Sequence, residues 1–171
     1  MNRRKDTVWR SIAIIGTLAT TGCIYGSRPP SDPPPATDHQ IRAPFEIVWQ
    51  RTVAFFAENR IPIQSTDNAG GQITSSDFPV PQLQAVRWID CGRTTFRDPQ
   101  LLEWYRTATG VAATMDFNVS VRPNGQSTTV RVEVGTRVIV TDSTGSGERR
   151  CVSSGGFERE LLGYVGDQAP E

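Results

Sequence analysis

From Val111 to Val121 the chain alternates. Val111, Ala113, Met115, Phe117, Val119 and Val121 interleave with Ala112, Thr114, Asp116, Asn118, Ser120 and Arg122. After Pro123-Asn124-Gly125-Gln126-Ser127 the period resumes, with Val130, Val132, Val134, Thr136, Val138 and Val140 set against Thr129, Arg131, Glu133, Gly135, Arg137 and Ile139. A period of two places successive side chains on opposite faces, so each run predicts a half-buried strand. The Pro-Asn-Gly segment turns the chain. The pair predicts an antiparallel hairpin with one core face and one wet face. Every other element must then be placed to cover the apolar side.

The covering elements are legible as helical faces. Phe45, Val48, Trp49, Thr52, Val53 and Phe56 recur at the spacing of one helix stripe. Pro44 suits the first turn, and Pro62 ends the run near Arg60. "IPIQSTDNAGGQITSS" predicts two short strands around a turn at Asp67–Gly71. "AVRWIDCG", ending near Cys91, reads as a third extended piece. Residues 92–109 admit two readings, a short helix from Pro99 or irregular chain. "DSTGSGERR" reads as a flexible tip. Beyond it, Phe157, Leu161, Leu162 and Val165 mark a shorter second helix with Ser153 or Ser154 as its cap. The predicted order is α-β-β-β-β-β-α. The fold class is α+β, an antiparallel sheet covered on one face by a long N-terminal and a short C-terminal helix.

Upstream of this domain the chain has a different character. Arg3, Arg4, Lys5 and Arg10 precede an apolar run from Ile12 to Leu18, then small residues up to Gly22-Cys23. A basic segment before a short apolar one predicts an export signal, and the run falls short of the ~20 apolar residues of a bilayer span. Leu18 to Cys23 resembles the lipobox of bacterial lipoproteins, with Thr20 where that family usually has Leu. The resemblance implies acylation of Cys23, and more than one acyl chain makes a durable anchor. Residues 24–43 hold five prolines between Pro29 and Pro35. They read as an extended tether able to span roughly 60 Å. The predicted organisation is a signal at 1–22, lipidated Cys23 with a Pro-rich tether to 43, one domain over 44–167, and a tail at 168–171.

Two counts restrict the chemistry. The chain carries 18 basic and 18 acidic residues, and residues 1–22 hold four of the former and one of the latter. The remainder therefore has a net charge of about −3 and contains no lysine. A weakly acidic chain without a basic stripe does not suit nucleic acid. Absent lysine excludes Schiff-base and P-loop chemistry. With Cys23 assigned to lipid, Cys91 and Cys151 form an even pair in an exported chain, which predicts a disulfide. A metal site or two free core thiols are the alternatives. Two cysteines without a nearby histidine fall short of four metal ligands.

The element order, together with "FEIVWQRTVAFFAENRIPIQSTDNAGGQITSSDF", resembles the helix-grip domains of BamC-like outer-membrane lipoproteins. Those domains open with a helix holding a Val-Trp pair, here Val48-Trp49, followed by a hairpin closing on Gly-x-Ile, here Gly71-Gln72-Ile73. BamC has two such domains and this chain has room for one. The resemblance implies an outer-membrane anchor facing the periplasm, an envelope protein as partner, and an accessory role in outer-membrane protein assembly.

Catalytic machinery is not evident in the residues. The one histidine, His39, falls in the tether, so a hydrolytic triad has no base. Glu58, Asp67, Asp77, Asp90 and Asp116 are scattered without a motif and read as surface charges. Asp142 to Glu148 offers oxygen ligands on a Gly-rich loop, but reads more simply as a hairpin tip. Trp88, Trp104 and Tyr105 form either a sugar- or peptide-binding patch or part of the core. The expectation is a non-catalytic binding or assembly module without cofactor or metal. Its partner surface would be the outer hairpin face with Arg122, Arg131, Glu133 and Arg137, where arginine suits bidentate contact with a carboxylate or phosphate. The alternative is a carrier or small envelope enzyme using the groove between helix and sheet.

Overall fold

The computed structural model describes residues 28–34, 36–94 and 98–166. Residues 1–27, with the export segment and Cys23, and the tail from residue 167 lie outside the described residues. The chain is α+β: an open, antiparallel sheet with four helices among the described residues.

The long hairpin is its spine. β5 (Gly110–Asn124) and β6 (Ser127–Asp142) pair without interruption from Gly110↔Thr141 to Asn124↔Ser127. Their alternation is reproduced in the burial: Ala113, Met115, Phe117, Val119, Val121, Val130, Val132, Val138 and Val140 are all buried. β2 (Ser65–Asp67) and β3 (Gln72–Pro79) form the shorter hairpin, and β3 adds antiparallel to β5. Gly71 fixes that junction. Its φ is +65°, its carbonyl accepts the Val121 N–H at 2.8 Å, and a Cβ there would stand 1.9 Å from the Val121 oxygen. Only glycine fits such an approach.

α1 (Phe45–Glu58) starts after Pro44 and buries Val48, Thr52, Phe55 and Phe56. Thr52 satisfies its buried hydroxyl on the Val48 carbonyl at 2.8 Å. The helix ends where Arg60 turns left-handed (φ 56°) and Ile61 N–H reaches back to Phe56 O at 2.8 Å. α4 (Gly156–Gly166) buries Phe157, Leu161 and Val165. Both serines take part at its start: Gly155 N–H donates to Ser153 Oγ at 3.1 Å and Gly156 N–H to Ser154 Oγ at 3.2 Å. Phe157 lies at the centre of the core. Its ring stacks on Phe117 of the sheet with centroids 4.1 Å apart, and meets Trp88, Phe55 and Phe56 edge-on at 5.4, 5.6 and 6.1 Å.

Three segments depart from expectation. "AVRWIDCG" is not a strand: Gln82–Trp88 form helix α2, and only Ile89–Asp90 (β4) remain extended. Its short apolar run fits either period. The buried pair Ala85 and Trp88 sits at i, i+3 after Pro81, which is the helical solution. Residues 100–107 are helix α3, resolving the open reading there. The "flexible tip" is ordered: Gly145–Arg149 fold back as β7 along β6, across a turn in which Asp142 Oδ1 accepts the Thr144 N–H at 2.8 Å.

The largest departure lies upstream of α1. The Pro-rich segment is no free tether from Arg28 onward. Asp38–Ile41 form β1, which pairs with Thr128–Arg131 of β6. Ala43 is buried, and its carbonyl accepts the buried Thr128 hydroxyl at 2.8 Å. Arg28 and Arg93 exchange backbone hydrogen bonds at 3.0 and 2.9 Å. Prolines bar Pro29–Pro35 from a ladder, but Asp38-His39-Gln40-Ile41 has none, and β6 offered an unpaired edge. The sheet order is thus β1-β6-β5-β3-β2, with β7 also on β6.

Cys91 and Cys151 are joined by a disulfide. β4 pairs with β8 (Val152–Ser153) through Ile89↔Ser153 and Asp90↔Val152, so the next register position sets Cys91 opposite Cys151, with Cα atoms 4.2 Å apart.

Candidate functional site

The outer face of β5 and β6 carries the predicted partner residues. Arg122, Arg131, Glu133 and Arg137 are all exposed there. Six strand steps separate Arg131 from Arg137, about 20 Å, so the arginines form no single cluster. Carboxylates neutralise two of them. Arg131 Nε donates to Glu133 at 3.0 Å and its Nη1 lies 3.6 Å from Asp38, while Arg137 lies 3.7 Å from Asp77. The hydrogen bond to Glu133 and the two nearby carboxylates hold the Arg131 pKa above its ordinary value. The face is of mixed charge rather than cationic.

A bulge concentrates part of it. The β3–β5 register slips between Ser75 and Phe78, and Asp77 takes a left-handed φ of 51°. Its N–H donates to Asp116 Oδ1 at 2.7 Å. Asp116 in turn leans over Gly135, where an added Cβ would sit 3.4 Å from its own. An open depression results, bounded by Thr74, Ser76, Asp77, Asp116, Asn118, Glu133 and Arg137. Bulges re-aim side chains in this way. Sequence reasoning missed the pairing of Asp77 with Asp116; the one signal was Gly135 interrupting a valine-rich strand.

The other carboxylates have structural tasks. Tyr164 Oη donates to Glu58 at 2.6 Å, which raises the phenol's pKa. Asp67 accepts the Gly70 N–H at 2.9 Å inside the hairpin turn. Asp90 holds the N-terminal segment, accepting from Ser31 N–H at 3.0 Å and Ser31 Oγ at 2.6 Å, and also from Gly92 N–H at 2.7 Å. Burial pushes its pKa up, but these hydrogen bonds and nearby Arg93 outweigh burial and hold it below the ordinary 3.8. A depressed carboxyl stabilises above the unfolded value and loses that contribution as pH falls through the folded one. The Ser31 amide resonance should therefore stay fixed on acidification to about pH 4 and move only below it; movement beginning at pH 5 or above would contradict this role.

The aromatic trio splits. Trp88 is wholly buried against Phe157, while Trp104 and Tyr105 on α3 are partly buried against the same core. Burial raises the Tyr105 pKa. The three form no shared surface patch.

The groove between helix and sheet is closed. Phe56, Phe117 and Phe157 fill it, each at most 1 % exposed. A cleft of about 160 Å³ lies elsewhere, between the N-terminal segment and α4, lined by Pro34, His39, Val132, Glu158, Arg159 and Leu162 among others. His39 thus borders a cavity instead of lying on a loose tether. Its volume is well below the roughly 300 Å³ at which small-molecule pockets begin. A scan against protein-family models and a search of curated proteins find no match for this chain.

Proposed function

We propose that the protein is an envelope lipoprotein, anchored through acylated Cys23 to the outer membrane and facing the periplasm. Its domain is a non-catalytic binding or assembly module of the helix-grip type, with an accessory role in outer-membrane protein assembly. One observation carries the non-catalytic reading: the space in which a helix-grip fold would hold a ligand is occupied by Phe56, Phe117 and Phe157. The carrier reading needs that space, and the carboxylates at Glu58, Asp67 and Asp90 are committed to hydrogen bonds of the fold.

The partner surface in this reading is the outer face of β5 and β6, including the depression around Asp77, Asp116 and Arg137. Its mixed charges suit a protein partner with complementary charges, which sets register more than raw affinity. In-envelope crosslinking followed by recovery of the acylated protein tests this. The double variant Arg131→Glu/Arg137→Glu should keep the far-UV spectrum and membrane fractionation of the wild type, yet lose most of the crosslinked partner. Undiminished partner recovery would remove this face, and a copurifying small molecule in native mass spectrometry would favour the carrier. Cys23→Ser is expected to release the protein from the membrane fraction; retention there would dispose of the anchor.

A further inference from the structure

The N-terminal segment is bound to the domain from its first described residue. Arg28 bridges Arg93, Ser31 is tied twice to Asp90, and β1 completes the edge of β6. The contact at Gly92 is especially close. Gly92 has φ +91°, and a Cβ there would lie 2.2 Å from the Arg28 oxygen, so the strap's backbone passes directly over a glycine that leaves room for it.

Only Ile24, Tyr25, Gly26 and Ser27 separate Cys23 from Arg28. Fully extended, that link spans about 18 Å. A domain of this size has a radius of gyration of roughly 14 Å. A leash shorter than the domain's own width cannot let every face meet the bilayer; it brings the rim from which it departs.

The chemistry of that rim fits a lipid surface. Arg28 and Arg93 are both exposed and stand directly opposite each other in an antiparallel bridge. Like charges so placed repel. Among the described residues neither arginine makes a salt bridge within 4 Å; Arg93 acts on Asp90 only at longer range, and that carboxylate already accepts from Ser31 and Gly92. A shallow cleft of about 280 Å³ opens beside Arg93, lined also by Ser31, Asp90, Gly92 and Pro99. Two exposed arginines on bridged backbone, with the one carboxylate beside Arg93 already engaged by Ser31 and Gly92, suit a phosphate, which arginine binds bidentately.

We propose that residues 28–41 are a strap that holds the domain close against the membrane, with the Arg28–Arg93 rim on the phosphates of anionic lipid headgroups. The proposal rests on acylation at Cys23 and adds to it a distance and an orientation. The outer face of β5 and β6 then presents its partner surface at a fixed height.

The test uses the acylated full-length protein on vesicles of phosphatidylcholine, with and without phosphatidylglycerol. Amide exchange at Arg28, Ser31 and residues 92–94 should slow about fivefold or more with the anionic lipid, while the Asp67–Gly71 turn is unchanged. Arg28→Gln/Arg93→Gln should abolish the difference without altering exchange in β5. A long Gly/Ser insertion between Ser27 and Arg28 should open a water layer in neutron reflectivity that the wild type lacks. An equal water layer in both proteins, or exchange at the rim indifferent to lipid charge, would overturn the strap proposal while leaving the anchor standing. Free inorganic phosphate reproducing the full slowing on neutral vesicles would refute the lipid as the ligand. Intact mass without acyl chains on Cys23 would remove anchor and strap together.

Discussion

Replacing Phe157 with alanine is expected to cost about 3–5 kcal/mol, the largest effect of any single core truncation in this domain. The ring stacks on Phe117 and touches Phe55, Phe56 and Trp88, so its removal empties the place where α1, α2, α4 and the sheet meet. Edge-to-face and stacked partners add to the simple transfer term. None of these neighbours sits at a chain end that can collapse into the void, and cavities that cannot collapse are the expensive ones. Single domains are stable by only about 5–15 kcal/mol, so the variant should be near the edge of folding at room temperature. Urea denaturation, comparing midpoints at a common slope, gives the number. A loss under about 1 kcal/mol would mean that the aromatic cluster is not the centre of the core.

Removing the disulfide should come next in size. Cys91 and Cys151 close a loop of 60 residues, for which the chain-entropy model gives a ceiling of roughly 4 kcal/mol. The Cys91→Ala/Cys151→Ala variant should lose about 2–4 kcal/mol in denaturant, and reduced wild type should match it. The bond also sits between β4 and β8, beside Gly92 and Asp90, where the strap docks. Its loss should therefore speed amide exchange at Ser31 and Arg93 more than in β5. Uniform acceleration across the sheet would show that the bond acts on global stability alone. Intact mass after alkylation, with and without prior reduction, should expose two thiols only in the reduced sample.

Much of this fold is legible in the sequence. Eleven-residue alternations leave no choice of face, so β5 and β6 could be drawn from Val111 and Val130 onward. α1 and α4 followed from the 3.6 period, although the buried stripe of α1 runs through Phe55 as well as Phe56. The disulfide followed from parity. Other parts had no such signal. Val86, Trp88 and Ile89 suit a strand by type, and only the pair Ala85 and Trp88 spoke for a helix. β1 is held chiefly by backbone hydrogen bonds, which leave no imprint on four mostly polar residues. The bulge at Asp77 depends on how β3 meets β5, a tertiary fact, and with it went the nearest thing to a preorganised depression on the outer face.

The position of Phe157 also governs the order of assembly. The hairpin of β5 and β6 is local and can form as soon as it is made. The core it covers is completed by a ring roughly 100 residues from the α1 phenylalanines it touches, and the edge of β6 by a strand about 90 residues earlier. Contacts so distant in sequence carry the loop-closure cost before they return anything. A growing chain that stops short of residue 157 has a sheet and a first helix with an open hole between them. The N-terminal edge strand can dock as soon as β6 exists, but the core cannot lock until α4, the last helix, has arrived.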